Sequence, residues 1–338
     1  MSVANPLNIL QMVQAAEMEL GLPASATVYG QSTGVIDNTG TQMGALANRV
    51  LDEMRRMNQW TALDCEFDLV VQPPINTVGD LQPLSAVITN IPDTTGLQPN
   101  DWQVIGPGIS QAARIFSVDS PTQITMNMEN TNVDLIPGAE IMFAKDTYQV
   151  PTGFDWMLNR TWWDRTNRWE LLGPDSPQMD QWHRSGIVVT GPRRHFRILG
   201  TQGQVPGAQG PYLNSIRLWP APAEIVAPIQ FAMEFISIAA VNFKNTGVFT
   251  QYFTQDTDTP LLDDQAIIQG IKWMFWEVKG FGSYTTMQNR WVDYVNRLIA
   301  RDGAARTLQV FKRQNPIFIS PANVQDGFYP GPIGPNAG

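Results

Sequence analysis

Apolar positions recur at helical spacing near both ends of the chain and lose that period in between. Over residues 5–20, Ile9, Val13, Ala16 and Leu20 fall on one stripe. Asn5 is placed to cap it, Pro6 suits a first turn, and Gly21 ends the run. A Gly/Thr/Ser-rich link over 24–40 leads to a second predicted helix. There Met43, Leu46, Ala47, Val50, Met54 and Met57 share a face, and Asp52, Glu53, Arg55 and Arg56 take the opposite one. Helical periodicity returns at Asp263 and Asp264, which can cap a helix lined by Ile267, Ile271, Met274, Phe275 and Val278 and interrupted at Gly280 and Gly282. A fourth helix puts Met287, Trp291, Tyr294, Val295, Leu298 and Ile299 inward. Its Arg290, Arg297 and Arg301 lie near the surface, with Gly303 as a stop.

After Trp60 the pattern becomes short apolar runs broken by Pro, Gly, Asn and Asp, as strands separated by tight turns read. Evenly spaced strands are expected over 86–91, 102–105, 114–118, 123–128 and 140–144, enough for a small sandwich or barrel. Longer, less regular strands are expected over 186–190, 195–199, 215–219 and 229–239. The segment 200–210 reads as a low-complexity loop.

Neither helix pair is large enough to be stable alone, so one bundle closed by both chain ends is the economical arrangement. The expected fold class is therefore α+β: a helical bundle made by both ends, a large β-rich insertion containing a small β-sandwich or barrel module, and an extended C-terminal arm. The expected divisions are 1–61 (N-terminal helix pair), 62–82 (β-region), 83–149 (small inserted β module), 150–255 (Trp-rich β-region), 256–307 (C-terminal helix pair) and 308–338 (arm). Pro and Gly forbid a helix in the arm, while Val310, Phe311, Ile317, Phe318, Ile319, Phe328 and Tyr329 are apolar anchors for a portal or a neighbouring subunit.

Composition narrows the function. A formal net charge of −9 disfavours a sequence-specific nucleic-acid binder, which needs a basic face, but suits a wall past which DNA slides. The 43% hydrophobic content with 16% charged residues is that of a globular chain, and 27 Gly with 25 Pro fit a turn-rich β portion. Cys65, the single cysteine, allows neither an internal disulfide nor a thiolate metal cluster. The first residues lack a basic start and an apolar run, and no long apolar stretch follows, so a soluble protein assembled in the cytoplasm, without membrane contact, is expected.

Candidate chemistry is sparse. Trp156, Trp162, Trp163, Trp169 and Trp182 crowd a short stretch together with Asp155, Asp164, Arg165, Arg168 and Glu170. Sugar stacking beside a carboxylate pair is one reading. Packing or an interface of Trp and Arg is preferred, because no spacing singles out an acid pair. His183 and His195, with Asp180, lack the spacing of a metal site. The run with Asp256, Asp258, Asp263 and Asp264 lacks the glycine and glutamate of a calcium loop and reads as a solvated start to a helix. No nucleophile motif occurs, and Gly106 and Gly108 lack the lysine of a phosphate cradle. The expectation is a non-enzyme with no catalytic residues, no metal and no cofactor.

The stretch NILQMVQAAEMELGLP, followed by a polar link and ALANRVLDEMRRMNQWTAL, resembles the opening of podoviral head-to-tail adaptors, the tail tubular protein A group. The segment from Ala86 to Asn127 is similar to the small β module inserted in many of them, and PTGFDWMLNRTWWDRTNRWELLGPDSPQMDQW resembles their Trp-rich passage. The resemblance runs from Asn8 to about Phe196 and rests on the order of these segments. It implies a virion protein at the head–tail junction: a homo-oligomeric ring, typically of about twelve copies, that joins the portal to tail nozzle or tail tube proteins, with tail fibres as a further candidate partner. Double-stranded DNA would pass through it without sequence-specific binding. The alternatives are a tail-associated carbohydrate-binding or depolymerising protein and a capsid-decorating protein.

Overall fold

The computed structural model describes residues 6–30, 38–151, 153–158, 160–185, 193–200 and 214–303. The apolar arm, the expected strand at 186–190, most of the 200–210 loop and the expected cap Asn5 lie outside these residues.

The described chain is a mixed α+β protein with several antiparallel sheets. It begins with α1 (Ile9–Glu19) and α2 (Asn38–Met57). The β-region opens with β1 (Asp64–Val71), β2 (Ile75–Leu81), β3 (Val87–Thr89), β4 (Trp102–Ile105), β5 (Ile115–Ser120) and β6 (Gln123–Met126). It continues with β7 (Ile136–Lys145), β8 (Thr147–Gln149), β9 (Phe154–Met157), β10 (Trp163–Asp164) and β11 (Trp169–Glu170). After α3 (Pro177–His183) come β12 (His195–Gly200), β13 (Asn214–Trp219), β14 (Ile229–Ser237), β15 (Val241–Phe243), β16 (Val248–Thr250) and β17 (Thr259–Pro260). The last helices are α4 (Asp264–Lys279) and α5 (Tyr284–Asp302). Two compact units emerge, one from the described residues of 1–65, 153–158 and 234–314, the other from those of 66–152 and 159–233.

In the first unit, helices from both chain ends share one core. Ile9, Met12, Val13 and Ala16 of α1 join Met43, Ala47, Val50 and Met54 of α2, Ile267, Ile271 and Met274 of α4, and Trp291 and Val295 of α5. Helix α4 packs against α1, α2 and α5. Local signals set the helix limits. Asn8 caps α1 by accepting from the Gln11 N–H at 2.8 Å, while the Gln11 side chain accepts from the Asn8 N–H at 3.1 Å. The helix therefore starts at Ile9, the first residue of the apolar stripe, and Pro6 precedes it instead of lying in its first turn. Asp263 caps α4 through the Ala266 N–H at 2.8 Å, and Gly280, at φ 74°, ends it in the left-handed conformation.

Three side chains depart from their expected sides. Met57 and Val278, each in the last turn of its helix, are exposed where the helix outruns the core. Arg55 is buried, because Asp52 (2.8 Å) and Asp155 (2.6 Å) neutralise it and allow its stem to pack. The same unit holds the sheet β16-β15-β17, with β16 at an edge.

The second unit is built on a six-stranded antiparallel sheet in the order β4-β7-β2-β3-β6-β5. A bridge between Gln103 and Arg114, with the Val104 N–H donating to Ala113 at 3.0 Å, brings the two ends of that order together. Leu81, Ile88, Val104, Ile115, Ile124, Ile141 and Phe143 fill the interior. Strands β3 to β7 overlap the expected runs, and the sheet also takes in β2, from ahead of the expected 83–149 segment. A second sheet in this unit, β12-β13-β8, carries His195, Arg197 and Arg217.

Candidate functional site

Buried ionisable side chains of the second unit, among them Asp180, His183 and Arg217, gather around α3, β12 and β13. Helix α3 is only seven residues long, yet locally well specified. Ser176 caps it by accepting from the Met179 N–H at 3.2 Å, and Pro177 occupies its first turn. Asp180 and His183, three positions apart, are both buried on its inner face. Strand β12 contributes His195 and Arg197, two positions apart and so on one face of the strand.

Asp175 joins the two histidines. Its backbone N–H donates to the Phe196 carbonyl at 2.9 Å. Its carboxylate then meets His183 Nδ1 through one oxygen and His195 Nδ1 through the other, both at 3.1 Å. The imidazole centroids lie 4.5 Å apart. One carboxylate accepting one N–H from each ring accounts for this geometry. The same three residues also present ligand atoms within 4.8 Å of one another, a two-nitrogen, one-oxygen set of the kind that holds a divalent cation. Sequence spacing did not pair these histidines, and it associated them with Asp180 instead of Asp175.

Asp180 faces arginines. Arg197 and Arg217 are directly opposed across the β12–β13 pairing, a placement of like charges that costs stability unless countered. Asp180 supplies the counter-charge, 2.6 Å from Arg197 and 3.9 Å from Arg217. Arg114, on the neighbouring six-stranded sheet, donates to the Asn100 carbonyl (2.8 Å), to Thr147 (3.0 Å) and to Asp146. Burial, reinforced by Arg114, lowers the Arg217 guanidinium to about 9, so it stays charged at neutral pH. Arg184 is lowered for the same first reason.

The tryptophans do not form one group. Trp162 is buried and stacks on Phe196 with ring centroids 3.8 Å apart. Trp163 and Trp182 are exposed at 37% and 53%, Trp169 is half-buried, and Trp156 is an exposed residue of the first unit. The nearby acids have structural partners: Asp155 pairs with Arg55, Glu170 with Arg160, and Asp164 accepts from the Asn167 N–H at 2.8 Å.

The acidic run before α4 is likewise structural. Asp258 is fully buried and accepts from the Lys244, Thr254 and Gln255 N–H groups, so the expectation of a solvated segment fails there. Burial, with Asp64 beside it, pushes the Cys65 thiol up, the opposite of an activated nucleophile. No helix among the described residues is long and apolar enough to cross a membrane. No family model and no curated protein matches this chain.

Proposed function

We propose that this chain is a structural subunit of a tailed-phage virion, the adaptor that joins portal to tail as a homo-oligomeric ring around the DNA passage. The observation that carries the reading is the core shared by α1 and α2 from one chain end and α4 and α5 from the other, with the β-region inserted between them. That arrangement supports a bundle acting as the ring-forming body, in keeping with the order of segments that resembles the adaptor family. The excess of acid over base supports a lumen that repels passing phosphates.

Apolar side chains left on the surface support assembly. Edge strand β16 exposes Val248 and Phe249, at 57% and 53%, and an unpaired strand edge with apolar side chains is a template for pairing with another chain. The arm anchors of 310–329 are proposed to lie on the portal or a neighbour. Because each copy is acidic, the isolated protein should form rings weakly. Co-sedimentation with the portal protein from the same genome tests the reading. Binding that is lost when 308–338 is removed, with melting unchanged, supports it, and undiminished binding contradicts the role given to the arm.

Exposed Trp163 and Trp182 favour one second reading, a tail-associated carbohydrate-binding protein. Glycan-array binding that disappears in Trp163→Ala or Trp182→Ala would support it over the adaptor.

A further inference from the structure

Four arginines of the second unit, Arg114, Arg184, Arg197 and Arg217, line one cavity of about 270 Å³ together with Asp180. Buried guanidiniums normally occur with matching carboxylates, because an uncompensated buried charge is costly. Among the described residues the carboxylates in contact with the four arginines are Asp146, on Arg114, and Asp180, on Arg197 and near Arg217. Four guanidiniums against two carboxylates leave two positive charges around the cavity.

The donors are also incompletely used. Arg217 is 7% exposed and Arg114 2%, yet the Nε–H of each has no hydrogen-bond partner among the described residues. The 3.9 Å separation of Arg217 from Asp180 is too long for a hydrogen bond. Among the described residues Arg184 donates one hydrogen bond, to the Ala112 carbonyl at 3.1 Å. Exposed Gln181 and Met128 are also among the lining residues, so the cavity opens to solvent.

We propose that this cavity is a binding site for a phosphate-class dianion. Guanidinium groups fork two N–H donors toward such oxyanions, and a dianion cancels the two surplus charges, whereas a single carboxylate would leave one. The depth of Arg114 and Arg217 excludes the internal phosphates of a duplex backbone, which cannot leave the double helix to reach them. A free phosphate ion or the terminal phosphate of a nucleotide can. The site does not depend on the adaptor reading.

Isothermal titration of the full chain with inorganic phosphate, against chloride at matched ionic strength and pH, tests the proposal. The expected result is saturable binding to phosphate and none to chloride. Arg217→Met, whose fold is checked by circular dichroism, is expected to weaken binding by about tenfold or more, while Arg165→Met, exposed and paired with Glu66 elsewhere, leaves it unchanged. Arg184→Met, at a less buried position, gives a second reading of the same loss should Arg217→Met not fold. A 5′-phosphorylated dinucleotide that displaces phosphate assigns the site to terminal phosphates. Saturable phosphate binding that the dinucleotide does not displace assigns it to the free ion, and either outcome supports the site. No saturable heat, an equal response to chloride, or undiminished affinity in a folded Arg217→Met or Arg184→Met overturns it.

Discussion

Asp256 accepts the backbone N–H of Tyr29 at 2.8 Å, tying the segment before α4 to the segment before α2. The same carboxylate accepts from the Val28 N–H at 3.0 Å and the Thr27 hydroxyl at 2.5 Å. One acid thus organises a turn more than two hundred positions away in the chain. Asp256→Ala is expected to destabilise the protein by about 2–4 kcal/mol in urea unfolding, because several donors lose their acceptor together. Asp256→Asn, which keeps an oxygen for the two N–H groups, should recover a large part of that loss. A neutral Asp256→Ala would show that the link is dispensable.

Gly270 of α4 lies against Val50 of α2. A Cβ at this position would come within 2.4 Å of a Val50 methyl and 3.1 Å of Trp291 Nε1. Gly270→Ala should therefore cost about 1–3 kcal/mol through overpacking, despite the better helix propensity of alanine. In a Val50→Ala background the same change should be close to neutral. Additive losses in this double-mutant cycle would mean that the two helices do not meet there.

Asp175→Ala removes the acceptor shared by His183 and His195 and should cost about 1–3 kcal/mol in thermal or chemical unfolding. Asp175→Asn should cost less. Asparagine offers one acceptor and one donor, and one imidazole can switch tautomer to accept. Equal losses in the two variants would contradict a hydrogen-bonding role for the carboxylate.

The Tyr29 phenol is pushed up to about 12, first by burial, and Asp258 and Asp256 add to the rise. The folded state therefore holds the Tyr29 proton more tightly than the unfolded chain does. The resulting stability is fully present below about pH 10, the ordinary phenol value, and is lost as pH rises toward 12. Absorbance titration of phenolate formation should show a late component that shrinks by one tyrosine in Tyr29→Phe, while the phenols of Tyr148 and Tyr294, also pushed up first by burial, remain in it. A wild-type curve with every tyrosine titrating at the ordinary value would contradict the burial of this ring.

Much of this structure is legible in the sequence where one local signal dominates. The stripes through Ile9–Ala16, Met43–Met54 and Ile267–Phe275 place the core faces of three helices, and Trp102–Ile105 stands out as a strand between turn residues. Helix α3 escapes because seven residues hold too little periodicity to rise above their Pro- and Asp-rich surroundings. Arg55 misleads because its charge suggests solvent, while its partner Asp155 comes from a strand a hundred positions later. The arginine cavity and the Asp175–His183–His195 group could not be read from spacing at all. Their members come from different elements, and only the register of β12 against β13 sets Arg197 opposite Arg217. Asp175 gives no local signal of its own, since Asp180 stands closer to His183 along the chain.

The most direct test of the adaptor proposal is negative-stain electron microscopy of the purified chain mixed with the portal protein from the same genome. Rings of this chain stacked coaxially on the portal are the expected result. Bare portals beside free monomers, under conditions where both proteins are folded, would contradict it.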